Sequence, residues 1–100
     1  MPELLRDEEV GKALGRLQGW SLDEGPVRAL RRDVELASFP QAIQVVNRVA
    51  EIAENDNHHP DIDIRWRTLT FRCSTHSEGG ITALDVSIAE EIEGVLDAVS

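Results

Sequence analysis

Cysteine, long apolar runs and positive charge are what this sequence has least of. A single cysteine, Cys73, excludes an intrachain disulfide framework. It sits in an apolar/polar alternation, which reads as a buried structural thiol rather than a nucleophile. No apolar stretch approaches the roughly 18 residues of a membrane span. The stretch Met1 to Val10 is acidic and interrupted by charge, unlike a secretory signal. A cytoplasmic protein without a membrane partner is expected. Basic residues number 10 against 19 acidic ones, for a net charge of -9, and that field repels polyanions. Nucleic acid is therefore not an expected ligand. Internal repeats, low-complexity tracts and linkers are also missing.

What is there suits one small globular domain over residues 1–100. Hydrophobic residues make up 41% and charged residues 29% of the chain, too apolar for disorder and enough for one shared core. Val10, Ala13, Leu14 and Leu17 recur at helical spacing, so a helix is expected from Asp7 to Leu17, stopped by Gly19. Trp20-Ser21-Leu22 opens a short strand, Asp23-Glu24-Gly25-Pro26 reads as a turn, and Val27 to Leu36 reads as a second strand. Ser38 with Gln41 has the form of a capping box, and Pro40 fits the first turn of a helix. That helix buries Ala42, Val45, Val46, Val49, Ile52 and Ala53 on one face and stops near Asn57, because Pro60 disfavours the helical region for His59. Ile62, Ile64 and Trp66 alternate with polar residues, as do Leu69, Phe71 and Cys73, which predicts two more strands. Thr82-Ala83-Leu84-Asp85 is a second capping box, and Ile88, Ala89, Ile92, Val95, Leu96 and Val99 continue a third helix. The expected fold class is α+β, in the order α-β-β-α-β-β-α, with a four-stranded antiparallel sheet and the helices packed on one face.

The chemistry concentrates in the histidines. His58 and His59 leave the second helix and His76 leaves the fourth strand, so a tight strand pair brings all three to one edge of the sheet. Imidazole exchanges protons near neutral pH, which suits acid–base catalysis. Single loop histidines are commonly just solvated. The rigid His-His-Pro step and the sharp Ser77-Glu78-Gly79-Gly80 turn argue instead for fixed geometry. An open zinc centre using Glu54 or Asp61 is the competing arrangement. Adjacent histidines point apart in an extended chain, which disfavours it.

These segments carry a resemblance. Glu54-Asn55-Asp56-Asn57-His58-His59-Pro60-Asp61-Ile62, then Ser74-Thr75-His76-Ser77-Glu78-Gly79-Gly80-Ile81-Thr82 and Asp85, with Gly19-Trp20 upstream, are similar to the signature of the pterin-4a-carbinolamine dehydratases. The likeness runs from Trp20 to about Ile92. Val34, Leu36, Ser38 and Trp66 depart from residues frequent in that family, and Asn57 stands where some members carry an aspartate.

The resemblance implies a hydro-lyase that converts a 4a-hydroxytetrahydropterin to a quinonoid dihydropterin and water, in tetrahydrobiopterin recycling. No metal and no organic cofactor are expected. It further implies that His58 and His76 form the acid–base pair and that His59 binds the pterin, with Glu54, Pro60, Trp20 and Asp85 grouped as substrate-binding residues. Other readings stand beside these roles. Glu54 shares a helix face with His58 if the helix extends that far, or is a solvated helix-end charge. Asp85 serves equally as the carboxylate of a capping box, and Trp20 as core. A homodimer or homotetramer is implied, with Asp61 to Trp66 as a pairing edge, and an aromatic amino-acid hydroxylase as the pathway partner. A non-catalytic binding or assembly module on the same scaffold is the alternative for which the family offers precedent.

Overall fold

The computed structural model describes residues 2–100. The elements are α1 (Asp7–Arg16), β1 (Trp20–Asp23), β2 (Ala29–Glu35), α2 (Phe39–Asp56), β3 (Asp61–Arg65), β4 (Thr68–Cys73) and α3 (Ala83–Val99), with a 3-10 turn at His76–Glu78. The strands form one antiparallel sheet in the order β1-β2-β4-β3. A radius of gyration of 13.0 Å is that of one domain of this length.

The alternation along each strand decides which face is covered. On β4, Leu69, Phe71 and Cys73 are fully buried, while Thr68, Thr70 and Arg72 reach the other face. Trp20, Leu30 and partly buried Ile62 join the covered face. Against it pack Val10, Ala13 and Leu17 from the α1 region, Ala42, Val45, Val49 and Ala53 from α2, and Ile88, Ala89, Ile92, Val95 and Leu96 from α3. The open face carries charge instead, where Asp33 accepts hydrogen bonds from Thr70 and Arg31, and Arg72 pairs with Asp23. Among the described residues no helix is long and apolar enough to cross a membrane.

The caps follow the sequence. The Ser38 side chain accepts from the Gln41 amide at the start of α2, and Pro40 lies in its first turn. Three boundaries differ from the sequence expectation. The second strand starts at Ala29 rather than Val27, which is exposed in the preceding turn, and ends one residue before Leu36. Helix α1 ends at Arg16, with Leu17 as its C-cap. Trp66 is not a strand residue: Arg65 pairs with Thr68, so Trp66 and Arg67 form a two-residue hairpin turn. Such a turn needs a positive φ to match the strand twist, and Trp66 adopts +53°. Trp66 is 69% exposed, and the Arg67 guanidinium lies over its ring, 4.7 Å from the ring centre.

Candidate active site

The site is assembled where α2, β3, β4 and α3 meet. Asp61 pairs with Arg72, so the residues just before Asp61 and just after Arg72 emerge side by side at one end of the sheet. His58, His59 and Pro60 come from the first, and Thr75 and His76 from the second.

How α2 ends determines where the first two histidines point. Asn57 takes a left-handed conformation at φ 50°, and its amide and that of His58 close the last turn onto the carbonyls of Glu54 and Ala53. Asparagine tolerates this region because its short side chain bonds locally. His58 therefore lies outside the helix, and the Glu54–His58 helix-face pairing expected from i, i+4 spacing is not formed. Glu54 reaches His59 instead, with Oε2 2.5 Å from Nε2. Both side chains are solvent-exposed, at 79% and 55%.

His58 turns inward, its side chain only 12% exposed, and places Nε2 2.6 Å from Oδ1 of Asp85. Asp85 is wholly buried. Its Oδ2 accepts the Thr75 hydroxyl and the Thr82 amide, each at 2.8 Å. The Thr75 and Thr82 hydroxyls are also 2.8 Å apart. The capping box expected at Thr82 and Asp85 thus exists, and the same carboxylate holds His58 through its second oxygen. Asp85 thus sits buried behind His58, in the capping position that the sequence also offers for it.

His76 follows Thr75 at the start of the 3-10 turn and is exposed. Thr75 anchors that turn: its amide donates to Gly80 at 2.7 Å and its carbonyl accepts from Glu78 and Gly79. Gly79 supplies the left-handed residue, at φ 74°, that the turn requires. Asp85 thus binds both His58 and the residue before His76, tying two separate chain segments to one buried point.

Trp20 lies elsewhere. It is a core residue of β1 whose Nε1 donates to Glu93 at 2.8 Å, and the same oxygen takes a 2.7 Å bond from Arg32 Nε. Glu93 is eight positions beyond Asp85 on α3, about 12 Å along the helix axis. The structure does not bring Trp20 to the histidines. Cys73 is fully buried, and burial first, then the charges of Asp85 and Asp61, push its thiol pKa far upward, as befits an inert packing residue. Among the described residues no three His, Cys, Asp or Glu side chains converge as metal ligands.

Thr75 and Thr82 had no assigned role beyond motif and cap. The signal for them was the adjacency of Thr75 to His76 and the capping-box spacing of Thr82 to Asp85. A carboxylate with one oxygen in a cap retains a free oxygen for another donor.

Known proteins share this arrangement of chain. The family model for pterin 4 alpha carbinolamine dehydratase matches residues 3–95. A protein of Mycolicibacterium vanbaalenii, named "Putative pterin-4-alpha-carbinolamine dehydratase", is 55% identical over 93 residues, which are 93% of this chain and 97% of that protein. One of Nocardia farcinica with the same name is 50% identical over 91% of this chain and 93% of its own. Among solved structures, a transcriptional coactivator/pterin dehydratase from Brucella melitensis superposes with a TM-score of 0.88 at 29% identity, covering 93% of this chain and 98% of that one. A pterin dehydratase-like protein described as a RuBisCO assembly factor in the alpha-carboxysome shares the fold, with a TM-score of 0.65 at 15% identity over 78% of this chain and 89% of its own. On the extent of the family match and the identity to these relatives, the chain belongs to the pterin 4 alpha carbinolamine dehydratase family.

Proposed function

We propose that this protein dehydrates 4a-hydroxytetrahydropterins, with 4a-hydroxytetrahydrobiopterin as the substrate in tetrahydrobiopterin recycling, through His58 and His76 as an acid–base pair. The observation that carries this reading is the buried Asp85 carboxylate holding His58 at 2.6 Å beside the turn that presents His76. A solvated loop histidine has no need of a fully buried partner, whereas a proton-transfer group gains from fixed orientation. The reaction asks for little else. One proton leaves a pterin ring nitrogen, the C4a–O bond breaks, and the departing hydroxyl takes up a proton to leave as water. Two imidazoles supply both transfers without an added cofactor.

His59 and Glu54, exposed and paired at 2.5 Å, form the outer rim, where with Pro60 they bind the pterin. The substrate is the product of an oxygen-inserting pterin enzyme, so an aromatic amino-acid hydroxylase is the expected supplier. Strand β3 lies at the sheet edge with its outer backbone groups unpaired by another strand, which supports pairing between subunits in a homodimer or homotetramer.

The test is the rate at which freshly generated 4a-hydroxytetrahydropterin dehydrates in the presence of the protein, with and without a chelator. Acceleration that survives the chelator supports the proposal. A rate equal to that in buffer refutes it, and a rate abolished by the chelator refutes the metal-free mechanism.

A further inference from the structure

The hydrogen bonds behind His58 have a direction, and that direction assigns its ring hydrogen. The Leu84 amide can only donate, and it donates to Thr82 Oγ1 at 3.2 Å. The Thr75 hydroxyl spends its one hydrogen on Asp85 Oδ2. In the 2.8 Å contact between the two hydroxyls Thr82 must then be the donor and Thr75 the acceptor. Asp85 Oδ2 also receives the Thr82 amide, a donor that cannot reverse. Every bond in the chain runs toward the carboxylate. With Asp85 as a carboxylate, Oδ1 can only accept from His58, so the hydrogen in that 2.6 Å bond belongs to Nε2.

We infer that Asp85, oriented by Thr75 and Thr82, locks neutral His58 in the Nε2–H tautomer, so that His58 meets the pterin through the lone pair of Nδ1. This rests on the dehydratase reading for its catalytic consequence, whereas the tautomer itself rests on the hydrogen bonds around an ionised Asp85. With its lone pair on Nδ1, His58 is the base: Nδ1 accepts the proton of a pterin ring nitrogen as the electron pair of that N–H bond expels the C4a hydroxyl. His76, which makes no side-chain hydrogen bond or ion pair among the described residues, is the acid that protonates the departing hydroxyl to water. Asp85, Thr75 and Thr82 touch no substrate and act as positioning residues.

Asp85→Asn offers a sharp perturbation. The Thr82 amide and Thr75 hydroxyl still need an acceptor, so the new amide places its oxygen at the Oδ2 position and its NH2 toward His58. Nε2 must then accept, and the imidazole hydrogen moves to Nδ1, removing the lone pair from the substrate side. Related tautomer errors in a buried carboxylate–histidine pair cost orders of magnitude in kcat.

The experiment is a long-range proton–nitrogen spectrum of the histidine side chains at a pH where His58 is neutral, read together with dehydration kinetics. In the wild type, His58 is expected to show a protonated Nε2 and a bare Nδ1. In Asp85→Asn the pattern should reverse and kcat should fall by about 100-fold or more, with KM within about threefold. Because Asp85 also caps α3, Thr75→Val provides a second variant that leaves the cap in place. It should lower kcat by about tenfold, and Thr75→Ser should restore it. An averaged or Nδ1-protonated His58 in the wild type overturns the inference, as does Asp85→Asn that folds and keeps wild-type kcat. A locked tautomer in a chain that does not speed dehydration upholds the hydrogen assignment and refutes the dehydratase reading, so the two failures are distinct.

Discussion

Replacing Glu91 by Gln should stabilise the protein at pH 8 and leave its stability nearly unchanged at pH 4. Glu91 on α3 shares a hydrogen bond with the carboxyl of Asp56, the last residue of α2. That bond first, then burial, then the negative charge of Asp56, push Glu91 up from 4.5 to about 7. An acid raised on folding binds its proton more tightly in the native state than in the unfolded chain. Below pH 4.5 Glu91 is protonated in both states, and the shared hydrogen bond contributes in full. As the pH rises from 4.5 toward 7 the unfolded chain ionises first, so stability falls. Above pH 7 the native state carries two facing carboxylates at the C-terminal end of α2, where the helix dipole adds to the cost. Glu91 is half-buried but its partner Asp56 is exposed, so screening leaves about 0.5–1 kcal/mol of this effect. For a domain of this size that is roughly 2–8 °C in Tm. The assay is thermal unfolding of wild type and Glu91→Gln from pH 4 to pH 8 at low ionic strength, with Asp56→Asn expected to give a similar gain that does not add to the first. A gain independent of pH, or a loss at pH 8, would refute the shared-proton account.

Two further substitutions probe other parts of the structure. Gly19→Ala should destabilise by about 1–3 kcal/mol in denaturant unfolding, because Gly19 has φ +86° and an added Cβ would lie 2.5 Å from Arg32 Nη1. The guanidinium cannot simply swing away, since its Nε is held by Glu93 at 2.7 Å. Glu54→Gln, at an exposed pair, should change stability by less than about 0.5 kcal/mol but raise KM several-fold with kcat unchanged, if it steadies His59 against the pterin. An unchanged KM in steady-state kinetics removes Glu54 from the site.

Periodicity made the fold legible, since Leu69, Phe71 and Cys73 and the stripe Ala42, Val45, Val49 and Ala53 face the core as their spacing requires. The sequence also brought His58 and His76 to one end of the sheet, because the ends of a hairpin are neighbours by construction. What spacing did not show depends on single dihedral angles and on contacts distant in sequence. Asn57 in the left-handed region turns His58 off the helix and exchanges the expected Glu54–His58 pair for Glu54–His59. A positive φ at Trp66 converts an apparent strand residue into a turn. The partner of His58 is 27 positions away on α3, and only the packing of α3 beneath β4 reveals that one carboxylate both caps a helix and holds a histidine. Trp20, shared with the family motif and readable as either pocket wall or core, takes the core position.

The central claim is that His58 and His76 act as one acid–base unit. Its most direct measurement is kcat for 4a-hydroxytetrahydropterin dehydration by His58→Ala, His76→Ala and the double variant. The account predicts that each single variant loses about 10²–10⁴-fold and that the double variant loses little more than the weaker of the two. A single variant as fast as the wild type, or losses that multiply in the double variant, would contradict it.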